Sequence, residues 1–306
     1  MTHEQYLHNL SVPEKKVDVI LDTDAYNEID DQFAIAYLLC SGDRANTRAI
    51  CAAPFLNSRS KSPCDGMNKS YDEIVKLLDL LHMDVPVYRG SENYLPNETT
   101  PVPSDAATFM ANMANEYSPE NPLYIVAIGA ITNVASAILL NPKAMKENTV
   151  IVWLGGHSLN WPNTKEFNMY QDIAAARVVF DCGAPVVLLP CGGVVSTFTT
   201  TKPELEYWLA GKNPLADYLA KNAIKEAESY AAGKAWSRVI WDVTAVAWLL
   251  NDKDRFLAHY QVPSPVAQYD FRYSCDPRRH PITYVYQVKR DALMTDLFTK
   301  LAGFEG

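Results

Sequence analysis

The 306-residue sequence predicts an α/β fold: a doubly wound, mostly parallel sheet with helical and β-hairpin elaborations in its C-terminal third. Three observations predict it. Short β-rich runs alternate with helix-length segments through the first two thirds of the chain. The runs are apolar on both faces, as strands covered by helices on either side must be. Polar and acidic residues gather just after those runs, at the sheet edge where open α/β folds bind ligands.

The elements follow in order. Residues 17–22 (VDVILD) read as a buried strand and residues 31–40 (DQFAIAYLLC) as a helix, with Asp30 or Asp31 at its N-terminus, where a carboxylate meets the positive end of the helix dipole. A strand over 47–54 precedes a helix over 64–82. A short strand over 85–88 and a helix over 106–116 come next. A strand over 123–128 leads into a helix from Asn133. The strand over 150–154 ends in Gly155-Gly156, and a helix over 173–180 precedes a strand over 185–189. Residues 122–140 carry no charge and are long enough to cross a bilayer. Gly129 and Thr132-Asn133 interrupt them, and residues 124–126 are β-formers, so the segment is parsed as strand, turn and helix. From residue 202 the pattern changes to helices over 202–209, 215–230 and 243–250. Residues 257–289 are rich in β-formers and proline, and 290–301 close the chain as a helix. No repeat or Pro/Gly/Ser-rich linker divides it, so 1–306 reads as one domain, with 1–16 as an N-terminal extension.

Composition narrows the partners. Hydrophobic residues make up 48% and charged residues 21%, which is globular rather than disordered. Lys and Arg number 27 against 36 Asp and Glu, a net charge of −9, which makes the chain a poor candidate for a nucleic-acid backbone binder, since that needs a basic face. The six cysteines, at 40, 51, 64, 182, 191 and 275, include no CxxC pair, which argues against a zinc knuckle or a thioredoxin-type site. They read as reduced thiols of a cytoplasmic protein. The start, MTHEQ, lacks the basic-then-apolar layout of a signal peptide.

The most informative stretch runs from Asp22 to Asp31 and includes Asp24, Glu28 and Asp30, so five carboxylates fall within ten residues after the first strand. Two carboxylates about 5 Å apart repel by roughly 3 kcal/mol at an effective dielectric near 20. The helix N-terminus supplies part of the compensation, and a divalent cation would supply more. An all-oxygen donor set suits Ca2+ or Mg2+ and argues against zinc. A solvated acidic turn fits Glu28, but apolar flanks on both sides argue against it for Asp22, Asp24, Asp30 and Asp31. The bare Asp22-x-Asp24 admits two reaction classes: phosphoryl transfer through an aspartyl-phosphate with Mg2+, as in haloacid-dehalogenase-type phosphatases, or metal-assisted hydrolysis with a carboxylate base.

Further polar residues follow other strand ends: Asn57, Thr132-Asn133, Gly155-Gly156, Asn160 and Glu166-Phe167-Asn168, with Trp241-Asp242 before the helix at 243. Singly each has a plain reading: turn residue for Asn57, helix cap for Thr132 and Asp242, surface charge for Glu166, packed aromatic for Trp241, loop imidazole for His157. Tyr230, Trp236 and Arg238 lie in a segment read as helical.

Taken together, these motifs resemble the nucleoside hydrolase family, the calcium-dependent, inosine/uridine-preferring nucleoside N-ribohydrolases. Asp22-Thr23-Asp24 with Asp30-Asp31-Gln32-Phe33-Ala34, Gly129-Ala130-Ile131-Thr132-Asn133, Gly155-Gly156 with Asn160 and Glu166-Phe167-Asn168, and Asp242 occur in the family's order, over residues 17–250. The resemblance implies a small-molecule nucleoside substrate, hydrolysis of its N-glycosidic bond to ribose and free base, a Ca2+ cofactor, no nucleic-acid or membrane partner, and a homo-oligomer, dimer or tetramer. It implies that Asp24, Asp31, Asp242 and the Thr132 carbonyl hold Ca2+, with Asp24 also the base toward a Ca2+-bound water. Asp30 would bind the 2′-hydroxyl, Asn57, Asn160, Glu166 and Asn168 the remaining ribose oxygens, and Asp22 would orient the loop.

Two departures stand out. Five residues, Ala25 to Ile29, separate Asp24 from Asp30 where the family form has three, which brings Tyr26, Asn27 and Glu28 beside the metal. The position before Asp242, where many members carry a histidine that acts as leaving-group acid, is Trp241. A Trp-Asp pair resembles the purine-specific branch, in which an aromatic stacks on the base, so purine ribosides are the expected substrates. The phosphatase alternative leaves Thr132-Asn133 and Glu166-x-Asn168 without a role. A nucleoside- or sugar-binding protein with weak turnover is the other alternative.

Overall fold

The computed structural model describes residues 1–305. Its centre is an eight-stranded sheet built from β1 (Val17–Thr23), β2 (Ala45–Ala52), β3 (Val87–Arg89), β4 (Leu123–Ala127), β5 (Thr149–Leu154), β6 (Val186–Leu189), β9 (Leu257–Pro263) and β12 (Pro281–Val288). The order is β3-β2-β1-β4-β5-β6-β12-β9, parallel throughout except for the outer strand β9. The chain first builds outward from β1 to β3, then returns to start again at β4. The reversal leaves a crevice above the carboxyl ends of β1 and β4, where the helices on either side diverge.

Alternation along the strands sends side chains to two cores. Val19 and Leu21 of β1 face one side, with α2 (Asp30–Leu39) and α3 (Pro63–Leu81). Ile20 faces the other, with α4 (Asp105–Met113), α5 (Thr132–Leu140), α6 (Pro142–Asn148) and α8 (Ile173–Asp181). A short helix, α7 (Phe167–Gln171), sits between β5 and α8. The two-residue strands β7 (Thr199–Thr200) and β8 (Arg238–Val239) pair with each other, as do β10 (Val266–Ala267) and β11 (Tyr273–Ser274). The helices α9 (Lys202–Trp208), α10 (Pro214–Ala231), α11 (Val243–Leu249) and α12 (Arg290–Ala302) add to the first core, through Leu205, Leu219, Trp248 and Phe298.

The extension before β1 contains a helix that the sequence did not predict, α1 (His3–Asn9). Thr2 caps it, and Tyr6 donates to the Pro281 carbonyl at 2.7 Å, while Thr283 donates to the Leu10 carbonyl at 2.6 Å. The uncharged run 122–140 is strand β4 and helix α5, as expected, and no helix among the described residues is long and apolar enough to cross a membrane. Residues 235–239, read as helical, instead form a loop and β8. All six cysteines are unpaired.

Candidate active site

The first turn of α2 carries acids for a reason other than capping. Its N-cap is Ile29, which makes no side-chain cap bond, and Asp30 and Asp31 follow it, both buried. Thr23 at the end of β1 donates to Asp31 Oδ1 at 2.5 Å, and Asp31 also shares a hydrogen bond with Asp242. Asp242 is not the cap expected of it: its backbone is already helical and its side chain caps nothing, because it reaches Asp31 across the crevice. Oxygens of Asp30, Asp31 and Asp242 lie within 4.8 Å of one another.

Asp24 sits one residue past β1 and is 1% exposed, with no donor to either carboxylate oxygen. Gly129 makes room for it: a Cβ there would stand 3.1 Å from Asp24 Cγ. Asp22 accepts from Asn133 Nδ2 at 2.8 Å through one oxygen and leaves the other buried without a donor. Asn133 also donates to the Ala52 carbonyl and accepts from Ser91 N, so it ties together the chain after β3 and the ends of β1 and β2.

Burial and mutual repulsion push these acids upward. Asp24 is raised well above the usual carboxylate range by desolvation, then by Asp31 and Asp30. Asp30 is raised by desolvation, Glu28 and Asp31, and Asp242 by desolvation, Asp30, Asp31 and Asp24. Desolvation lifts Asp22 to about 7 against the opposing bond from Asn133. Arg238 opposes the rise at Asp30, and it is held at 2.5 Å by Glu28 and at 3.2 Å by Glu226. One guanidinium shared with two other carboxylates does not neutralise five buried acids, Asp22, Asp24, Asp30, Asp31 and Asp242. Three orphaned oxygens beside a three-acid nest are what a hard divalent cation fits.

A cavity of about 220 Å³ opens on this nest. Asp30 and Asp242 form its acidic end, with Asn27 and Glu28 of the long loop beside them. Asn168 and Glu166 line the wall opposite. Asn168 donates to the Ile128 and Leu154 carbonyls at 3.1 and 3.0 Å, which fixes it across the ends of β4 and β5 with its Oδ1 left as acceptor. Glu166 is not a surface charge. It accepts from Gly156 N, Asn168 N and Met169 N at 2.7–3.0 Å and so caps α7. Desolvation lifts it to about 6 against those bonds. Trp241, Phe167 and His157 supply aromatic surface.

Not every expected residue reaches the cavity. Asn57 donates to Asn27 Oδ1 at 2.6 Å and accepts from Arg59 N, one step behind the wall. Asn160 is on an exposed turn. Neither is among the residues that line the cavity. Thr132 is buried at the start of α5 and donates to Asp172 Oδ2 at 2.7 Å. Asp172, which caps α8 and also accepts from Leu95 N, was not singled out from sequence; its partners lie 40 and 77 residues away. Trp236 packs on the first core, Tyr230 is exposed, and Tyr26 lies at the surface of the long loop.

A parallel α/β sheet with a carboxylate nest at its switch point and an aromatic-walled cavity above it offers a place for a small polar molecule beside a set of oxygen donors that could hold a divalent cation. Residues 19–292 match the family described as inosine-uridine preferring nucleoside hydrolase. The chain is 27% identical over 261 residues to a pyrimidine-specific ribonucleoside hydrolase, RihA, of Salmonella typhimurium, covering 76% of this chain and 79% of that one. It is 28% identical over 162 residues to a probable uridine nucleosidase 2 of Arabidopsis thaliana, and that match spans about half of each chain. The fold superimposes on a purine-preferring ribonucleoside hydrolase from Gardnerella vaginalis with a TM-score of 0.71 at 20% identity, over 94% of this chain and 98% of the other. The chain belongs to the nucleoside hydrolase family, hydrolases that act on N-glycosyl compounds.

Proposed function

We propose that the protein hydrolyses the N-glycosidic bond of ribonucleosides, purine ribosides by preference, at the Asp30–Asp31–Asp242 nest with Ca2+ as cofactor. The observation that carries the reading is that nest, with the donorless carboxylate of Asp24 beside it and a cavity above. A cation there would compensate the buried charge, grip the ribose diol and polarise water. Asp24, Asp31 and Asp242 would hold it with the Thr132 carbonyl, leaving Asp30, the remaining acid of the nest, to the sugar; Ca2+ suits an all-oxygen set of this kind.

The chain's own groups then divide the chemistry. Asp24 takes the proton from the water that attacks C1′, a task for a carboxylate that no protein donor satisfies. Asp30 accepts from the 2′-hydroxyl. Asn168, its amide nitrogen already committed, accepts through Oδ1 from a ribose hydroxyl, and Glu166 holds the turn that presents it. The acidic walls favour the positive charge that develops on the sugar as the bond breaks. Trp241 stacks on the base. The six free thiols suit a cytoplasmic setting.

Ribose release from inosine, adenosine, guanosine, uridine and cytidine tests the preference. Higher kcat/KM on the three purine ribosides is expected; a clear pyrimidine preference, the property named for the Salmonella relative, contradicts it. Tight nucleoside binding without ribose release would instead mark a binding protein.

A further inference from the structure

We propose that His157 is the donor that meets the leaving base: its Nε2–H, aimed by the backbone of the 190–193 turn, hydrogen-bonds the base atom that collects the electron pair as the glycosidic bond breaks. The proposal rests on the ribonucleoside reading above.

His157 follows the glycine pair after β5 and lines the cavity. It is not a loose loop imidazole. Gly192 N–H donates to its Nδ1 at 3.1 Å, and a neutral ring that accepts at Nδ1 carries its hydrogen on Nε2. The Lys165 backbone is the ring's other polar neighbour, a partner that a bound base can share or displace. A Cβ at position 192 would stand 2.5 Å from Nδ1, so glycine is what lets the backbone come this close. The two loops are laced together as well. Ser158 N–H donates to the Gly192 carbonyl at 2.9 Å and Cys191 N–H to the Gly156 carbonyl at 2.8 Å. Trp161 packs against the imidazole with centroids 5.4 Å apart.

The chemistry asks for a donor at this place. The base departs with the bonding pair and leaves slowly unless its charge is met. Lys165 also lines the cavity, its ammonium over the Phe271 ring, and the buried Cys191 thiol bonds to Glu166; His157 is the one of these three whose donor the backbone orients. Burial holds the His157 imidazole below its ordinary pKa, so the ring is neutral at pH 7 and acts through its N–H without giving it up. The balance closes without further reactants. The C1′–N bond breaks with its pair on the base, water oxygen forms the new C1′–O bond, and the proton taken by Asp24 returns to the base through solvent.

The test compares wild type with His157→Ala, His157→Phe and His157→Gln on inosine and on p-nitrophenyl β-D-ribofuranoside, whose phenolate leaves without help. The Phe variant keeps the ring contact with Trp161, so the comparison stands even if the Ala variant misfolds. Ala and Phe are expected to lose about 100-fold in kcat/KM on inosine and less than about 5-fold on the aryl riboside. Gln, which retains an N–H donor, is expected to recover about tenfold of that loss. Equal losses on the two substrates, or no loss on inosine, overturn the proposal. A wild-type protein that releases ribose from neither substrate overturns the underlying reading instead.

Discussion

Asp24 sets what the site does against what the fold tolerates. Its carboxylate is buried, lacks a donor and lies near two other acids, so it destabilises the metal-free protein. Asp24→Asn is therefore expected to melt no lower than wild type in EDTA, yet to lose turnover by about 100-fold or more. Asp242→Ala is expected to lose both turnover and Ca2+ binding by calorimetry, since it removes one of the three converging oxygens. Near-normal activity in either variant would break the assignment. At this scale the sequence was informative where residues are neighbours and silent where they are not. Five acids in ten residues announce themselves. Asp172 reaches Thr132 and Leu95 over 40 and 77 residues, and Arg238 reaches Glu28 over 210; no local pattern marks such pairs. His157 was legible only as a loop residue, because the turn that seats it lies 35 residues on.

Among the elements, the strands and long helices were readable because their apolar periodicity spans enough residues to be distinctive. Strand β1, helix α2 and the run that becomes β4 and α5 lie where the pattern places them. The short helices α1, α6 and α7 do not stand out in the sequence, and each is fixed by a cap, Thr2, Asn141 and Glu166. The junctions between elements matter most for function. Gly129, between β4 and α5, lies against Asp24, and an added Cβ would also come within 3.2 Å of Ala53 Cβ. Gly129→Ala is expected to keep the far-UV circular dichroism of wild type while lowering kcat by about tenfold or more, because it displaces Asp24 rather than the sheet. Unchanged turnover would mean that Asp24 need not sit where the fold puts it. The long loop from Ala25 to Ile29 is held by the Glu28–Arg238–Glu226 ion pairs, a tie from that loop through β8 to α10 that only the folded chain reveals.

Across the whole molecule, buried acids make stability depend on both pH and cation. Asp22 and Glu166 titrate near 7 and 6 in the folded chain, above ordinary carboxylates. A raised folded-state value means that the native state holds the proton more tightly, so the stabilisation is complete below the unfolded-state value and is lost as pH rises through 6 to 7. In EDTA, the melting temperature is expected to fall between about pH 5 and about pH 8, and a fixed Ca2+ concentration is expected to restore more at the higher pH, where the acids are ionised and Kd is lower; at 100 times Kd the whole restoration is about 2.7 kcal/mol. A melting temperature that rises with pH in EDTA would contradict the burial of these groups. The central claim, that a divalent cation held by acids from β1, α2 and the start of α11 drives hydrolysis of a riboside, is tested most directly by ribose release from inosine. The protein is stripped with chelator, assayed, and assayed again after Ca2+ is returned. Loss of ribose release on stripping and its recovery with Ca2+ are the expected results; release that persists undiminished in the stripped protein would contradict the account.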